Sequence, residues 1–430
     1  MARDAVAALL PPGGTLSFTS GATEALNWAI QGSTGPIVTW ATEHAAVLDT
    51  VAAEARKGRA VTLLPVGEDG LVDLAAARAA ITPGTGLVAA MLVNNEIGVI
   101  QPIAELAALA HEAGALFLCD AVQGYGRVPV PEGCDLVAVS AHKIHGPKGI
   151  GALWVRGGVP LAPLLHGGGQ EPGGRSGTLS PALCAGFGAA ATLAATRREA
   201  DAAHVARLFE TACERLHLAP LPAREGPHLA PLPAREGLGV GGEQSEPPAA
   251  AVRPPPSAPA PTPDPSLAGS DNRIGQQEPI NAVIPAKAGI QLAAPLDEEA
   301  QTEHRMDPDF RQDDKELSHM RLPSLAGRGE AEWHLNGSPS ARYPGNLNLR
   351  RDGLDVARLM SDLRDIAFSA GSACASGSGR PSHVLRALGL SDAQARSSIR
   401  LGFGRYTTEG EVMEAIDRIE AAARAQQAAA

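Results

Sequence analysis

Short apolar runs alternate with longer stretches of helical spacing through the first third of the chain. Leu16–Ser20, Ile37–Ala41, Leu87–Val93, Leu116–Asp120, Leu136–Ser140 and Ile150–Val155 are short runs rich in apolar residues and bounded by turn residues. Runs of that length and composition predict strands buried on both faces. Between them, Ala45–Arg56 and Pro102–Ala113 carry Ala and Leu at helical spacing. Strand and helix in alternation predict an α/β layer built on a mainly parallel sheet, because parallel strands need crossover helices to join them. Such sheets take their ligands at the carboxyl ends of the strands, and the residues with chemical character cluster just there.

The pattern fails between about His217 and Glu332. The decapeptide HLAPLPAREG occupies His217–Gly226 and recurs at His228–Gly237, and a Pro/Ala tract follows at Pro254–Pro265. A repeat with two prolines builds no known solenoid unit, and the stretch holds too little apolar surface to offset its ordering entropy. It reads as a disordered insertion, with a Pro-rich docking segment as the alternative. Helical spacing resumes at Gly353–Leu363 and in the amphipathic tail Thr408–Ala425. The expected organisation is a large domain over 1–200 and a small C-terminal domain over 201–430, interrupted at about 217–332.

Bulk properties narrow the chemistry. The 430 residues carry a net charge of -11, which argues against a nucleic-acid partner, since phosphate contacts need clustered Lys and Arg. No apolar run is long enough for a membrane span, and the N-terminus lacks a signal-peptide layout. The five cysteines have no CxxC spacing, so neither a disulfide framework nor a structural zinc site is indicated. These features together predict a reducing, cytoplasmic setting.

Lys143 lies in a Gly/Pro-rich loop directly after the strand Leu136–Ser140. A desolvated lysine there could hold an aldehyde cofactor as a Schiff base, or it could be a solvated loop lysine. Asp120 ends another strand. A buried carboxylate needs a cation such as a protonated pyridine nitrogen, though it could equally cap the next helix. Ser20-Gly21-Ala22-Thr23 opens a helix after a strand, an arrangement that suits a phosphate. His44 could stack on a flat ring and move protons, or be structural. Cys374, in the run Gly371–Gly379, is placed as an accessible nucleophile, whereas Cys119 and Cys184 sit in apolar surroundings and read as packing residues.

Taken in order along the chain, FTSGATE (Phe18–Glu24), TEHAAV (Thr42–Val47), NNEIGVIQPI (Asn94–Ile103), DAVQ (Asp120–Gln123), SAHKIHGPKGIGALWV (Ser140–Val155), GGGQE with RSGT (Gly167–Glu171, Arg175–Thr178), GSAC (Gly371–Cys374), PSHVL (Pro381–Leu385) and SSIRLGFGRYTT (Ser397–Thr408) resemble the group I cysteine desulfurases of the class V aminotransferase family, the NifS/IscS kind. The resemblance implies the type I fold of PLP-dependent transferases: a mainly parallel, seven-stranded-type sheet between helices, and a smaller C-terminal α/β domain. It implies pyridoxal 5'-phosphate on Lys143, with Asp120 at the pyridine nitrogen, Gln123 at the ring hydroxyl and His44 stacked as acid/base. Ala22, Thr23, Ser140 and His142 would belong to the phosphate and ring pocket. Thr178 would reach the phosphate of a second subunit in a homodimer. Asn95 and Arg400 would hold the carboxylate of L-cysteine, and Cys374 would take the sulfur as a persulfide, releasing L-alanine. The acceptor would be a scaffold of the IscU or NifU kind, for iron–sulfur cluster assembly or tRNA thiolation.

Two departures qualify the resemblance. Family members carry a DNAATT-like strand ahead of the point matching Ala2-Arg3-Asp4, which makes the chain read as N-terminally truncated. The insertion at 217–332 is the other. An inactive or impaired remnant, or a selenocysteine lyase-like enzyme, are the alternative functions.

Overall fold

The computed structural model describes residues 1–218, 291–292, 332–371 and 381–428. The Pro/Ala tract, the decapeptide repeat beyond its first two residues, and Cys374 lie outside them.

A short helix α1 (Ala2–Ala7) precedes β1 (Gly14–Thr19), α2 (Ala22–Gly32), β2 (Ile37–Trp40), α3 (Ala45–Arg56), β3 (Val61–Leu64), α4 (Leu74–Ala80), β4 (Leu87–Met91), α5 (Ile103–Glu112), β5 (Leu116–Asp120), β6 (Leu136–Ser140), β7 (Gly151–Arg156) and the long helix α6 (Pro181–Arg215). With the two-residue strand β8 (Gln291–Leu292), the sheet order is β1-β7-β6-β5-β4-β2-β3-β8. Pairings from β6 through β8 are parallel, while β7 runs antiparallel to both β1 and β6. The expected α/β layer is therefore present. The sheet departs from uniform direction at β7, and β3 is a strand that the apolar runs did not reveal.

The continuous apolar runs have the reason anticipated for them. Along β4, β5 and β6, Leu87, Ala89, Leu118, Leu136 and Ala138 pack with Ala25, Leu26 and Ile30 of α2 and Val47 and Val51 of α3. The alternate positions, Val88, Ala90, Phe117, Cys119, Val137 and Val139, face the opposite core with α5 and α6. Successive strand side chains point to opposite faces, so a sheet covered on both faces must be apolar at every position.

The remaining elements are β9 (His334–Leu335), β10 (Asn346–Arg350), α7 (Val356–Asp362), β11 (Ser369–Ala370), α8 (His383–Ala387), α9 (Asp392–Arg396), β12 (Ser398–Gly402) and α10 (Glu409–Ala428). Their strands make an antiparallel sheet of order β11-β12-β10-β9. Polar side chains stitch this sheet to the loop after β4. Asn348 donates to the Glu96 carbonyl at 2.9 Å, Asn346 to the Asn95 carbonyl at 2.9 Å, and Arg342 to the Ile97 carbonyl at 2.9 Å. Asn348 is fully buried, and its bonds offset the cost of placing an amide there.

Candidate active site

The register of the large sheet brings the chemistry to one edge. Met91 pairs with Asp120, Asp120 with Ala138, Ser140 with Gly151, and Gly151 with Thr19. The carboxyl ends of β1, β2, β4, β5 and β6 thus share an edge, and the segments that follow them carry Ala22 and Thr23, His44, Asn95, Asp120 and Gln123, and Ser140 to Lys143.

Asp120 is the centre of this edge. The residue is 3% exposed, and its Oδ1 accepts the Val122 amide at 3.0 Å. Burial drives its pKa upward, against the opposing pull of that amide and of the His44 and Lys143 charges. A turn and not a helix follows Asp120, so the capping alternative reduces to this one bond. One oxygen satisfies the backbone of the following turn, while the buried charge still calls for a cation.

His44 is the N-cap of α3, and its Nδ1 accepts the Ala46 amide at 3.0 Å. That bond leaves the neutral ring's proton on Nε2. Ahead of it, Glu43 is wholly buried. Its Oε1 accepts the Met91 amide at 3.0 Å, and its Oε2 has no hydrogen-bond partner among the described residues. Burial, then the Asp120 charge, hold the Glu43 carboxyl well above the usual carboxylate range.

Lys143 sits on a single 3-10 turn, Ala141–Ile144, closed by His145 in the left-handed region at φ 65°. His142 Nδ1 lies 2.7 Å from the Ser140 hydroxyl. Burial and the charges of Lys143, Lys148 and Arg127 depress the His142 pKa, so its neutral form predominates at pH 7.

A cavity of about 520 Å³ opens over the turn and is lined by Asn95, Gln123, Arg127, His142, Lys143 and Arg400, among others. Arg400, on β12, reaches across to the Asn95 carbonyl at 2.7 Å. Thr23 and His44 line a separate, smaller hollow that shares no lining residue with that cavity. Ser140 is instead buried beneath the turn, and Thr178 stands on an exposed stretch outside both cavities. Among the described residues, no group of His, Cys, Asp and Glu could hold a metal ion.

The donor set fits a phosphorylated pyridine aldehyde. Asp120 offers a buried carboxylate to a protonated ring nitrogen, and Lys143 an amine to the aldehyde. The N-terminus of α2 has no side-chain cap, which leaves its first amides for a phosphate. Gly151 makes room there. A Cβ on it would lie 2.7 Å from the Gly21 carbonyl carbon and 2.8 Å from the Ala22 nitrogen.

Sequence reasoning passed over Glu43 and Arg127. Glu43 adjoins His44, and its charge in an apolar strand-end context was the available signal. Arg127 closes the turn that begins at DAVQ, but its contacts come from segments distant in sequence.

Comparison with known proteins agrees with this geometry. The aminotransferase class-V family profile matches residues 1–230. The cysteine desulfurase IscS of Rickettsia felis is 33% identical over 414 residues, spanning 94% of this chain and 74% of the relative. The mitochondrial cysteine desulfurase of Eremothecium gossypii is 36% identical over 407 residues, spanning 92% and 60%. Among solved structures, a NifS-like protein superposes with a TM-score of 0.65 at 24% identity, covering 98% of this chain and 86% of its own. DndA from Streptomyces lividans gives 0.59 at 25% identity, covering 94% and 87%. A sheet of this order, a lysine turn beside a buried aspartate, and a sequence match over more than half the chain lead to one conclusion: the chain belongs to the class-V aminotransferase family.

Proposed function

We propose that the protein is a PLP-dependent cysteine desulfurase, converting L-cysteine to L-alanine while its sulfur passes to Cys374. The observation that carries the reading is Asp120, a buried carboxylate on the same strand-end edge that presents His44 and the Lys143 turn. In addition, relatives named cysteine desulfurase match nearly the whole chain.

PLP, when bound, withdraws electrons from the substrate's α-carbon. Asp120 would keep the ring nitrogen protonated, Gln123 would hold the ring hydroxyl, and Lys143 would carry the cofactor. The α2 amides at Ala22 and Thr23, with Ser140 and His142 behind, would form the phosphate and ring pocket. His44 presents Nε2–H, with its Nδ1 fixed by the Ala46 amide, so its ring can lie against the cofactor and hold a proton at Nε2. Arg400, fixed beside the Asn95 carbonyl, suits a substrate carboxylate through its guanidinium fork. The Cys374 assignment rests on the GSAC sequence. Its thiolate would attack the cysteine sulfur; a new S–S bond forms as the C–S bond breaks, leaving alanine and a persulfide.

On this reading, residues 1–200 form the cofactor-binding domain and 201–430 the smaller one. The exposed position of Thr178 suits contact with a second copy, and the persulfide would pass to a scaffold protein of the IscU or NifU kind. No helix among the described residues is long and apolar enough to cross a membrane.

Purified protein given PLP and L-cysteine should produce alanine and sulfide in the presence of a reductant. Lys143→Ala should lose the visible absorbance of bound cofactor, and Cys374→Ser should stop sulfide release. Absence of a cofactor band in the wild-type protein would reject the reading, and full turnover in Cys374→Ser would reject that residue as nucleophile.

A further inference from the structure

We propose that Arg127 is the positioning residue for the cofactor-bearing turn. One guanidinium ties together the three segments that surround the cavity, and so sets where the Lys143 amine stands relative to Gln123. The inference rests on the cofactor reading above.

The geometry is specific. Arg127 Nη2 donates to the Lys143 carbonyl at 2.5 Å, and Nη1 donates to the Gln123 carbonyl at 3.3 Å. The guanidinium carbon lies 5.3 Å from the ring centroid of Tyr343. Tyr343 is itself buried, and its amide donates to the Gly98 carbonyl at 2.8 Å. Three residues on, Asn346 bonds the Asn95 carbonyl that Arg400 also reaches. The same guanidinium thus touches the turn after β6, the turn after β5, and the segment leading into β10.

Physical chemistry gives this contact more weight than an ordinary surface arginine would have. The turn that holds Lys143 is a single 3-10 turn, with few hydrogen bonds of its own to fix it. Its closing residue, His145, is a non-glycine at positive φ, a conformation that persists where surroundings impose it. A charge-assisted bond to the carbonyl of the functional residue is stronger than a neutral one. The planar fork can serve two carbonyls at once, which an ammonium cannot do in the same geometry. Stacking on Tyr343 fixes the plane of that fork. Arg127 also lines the cavity, though both donors named here go to the main chain. Through those two donors it acts on the main chain of Lys143 and Gln123.

The test loads wild-type protein, Arg127→Ala and Arg127→Lys with PLP and follows the visible circular dichroism of the bound cofactor. The amplitude of that band at saturation reports how firmly the ring is oriented. Thermal unfolding without cofactor reports the fold separately. Arg127→Ala is expected to weaken PLP binding by about tenfold, the order of one charged hydrogen bond. It should also shrink the saturated band while the cofactor-free unfolding midpoint stays close to wild type. Arg127→Lys, which keeps the charge and one donor, is expected to recover part of both. Wild-type affinity and amplitude in Arg127→Ala would overturn the proposal, as would Arg127→Lys loading no better than Arg127→Ala. Should Arg127→Ala fail to fold, Arg127→Gln is read by the same two quantities. A wild-type protein that never loads PLP rejects the cofactor reading and this inference with it, whereas normal loading in both wild type and Arg127→Ala rejects this inference alone.

Discussion

The imidazole of His383 donates through Nε2 to the main-chain oxygen of Glu43 at 3.0 Å. The first residue of α8 is thereby fixed to the turn that presents His44. Its neighbour Ser382 makes the parallel attachment. The Ser382 hydroxyl donates to Glu96 Oε2 at 2.5 Å and accepts the Leu385 amide at 3.1 Å. Within the PSHVL motif, two adjacent side chains therefore bind the C-terminal part of the chain to two different site loops.

Ser382→Ala removes a helix cap and the partner of a buried carboxylate together. The loss should be about 1–3 kcal/mol of folding stability. Chemical denaturation of the two proteins under identical conditions measures it, and a change inside about 0.5 kcal/mol would show that Glu96 finds another donor.

Glu43 gives a pH signature. Its folded-state pKa is raised well above the ordinary carboxyl value of 4.5 by burial and by Asp120. The folded chain therefore holds that proton after the unfolded chain has lost it. This group leaves stability unchanged below about pH 4.5, and stability falls as pH rises from there through the raised folded value. Glu43→Gln abolishes the titration. Its unfolding midpoint relative to wild type should therefore climb between pH 4 and pH 8, and a difference that stays flat across that range would contradict the assignment.

Gly151→Ala tests the crowding at the start of β7. The added methyl would meet main-chain atoms of Gly21, Ala22 and Val139 within 2.8 Å, none of which can swing aside. Overpacking of this kind costs about 1–3 kcal/mol. On the proposed reading it also displaces the α2 amides from the phosphate, so weaker PLP binding should accompany the lower stability. A titration showing unchanged PLP affinity would separate α2 from the cofactor.

Asp120→Asn keeps the shape of the side chain and its bond to the Val122 amide while removing the charge. Loss of one charged hydrogen bond to the ring nitrogen, about 1.5–3 kcal/mol, predicts alanine production slower by roughly ten- to a hundredfold at saturating PLP. Initial rates settle it, and a variant as fast as wild type would exclude Asp120 from ring protonation.

Much of the large sheet is legible from sequence because burial on both faces writes itself as unbroken apolar runs. Leu116–Asp120 and Leu136–Ser140 coincide with β5 and β6. β3 escapes because Thr62 and Leu63 are only half-buried beside a short edge strand, so its run is brief and weak. The reversal at β7 leaves no mark on strand composition. Its trace is the connection from Ser140 to Gly151, too short for the crossover that a parallel neighbour requires. In the site, Lys143, Asp120, His44 and Gln123 could be read as motif residues. The His383 contact with Glu43 could not, since it joins positions 340 apart, and neither could the Arg127 link to Lys143. Local patterns report which side chains a backbone offers, while the partners are decided by tertiary packing.

His217, at the end of α6, and Trp333, just before β9, line the same hollow. Two positions far apart in sequence thus stand beside one hollow, against residues of α6 and α10. Ring-closure entropy between fixed anchors rises only as the logarithm of the intervening length. Lengthening the sequence between these two anchors therefore adds little to the entropy cost of holding them together, and the lysine turn stands clear of both.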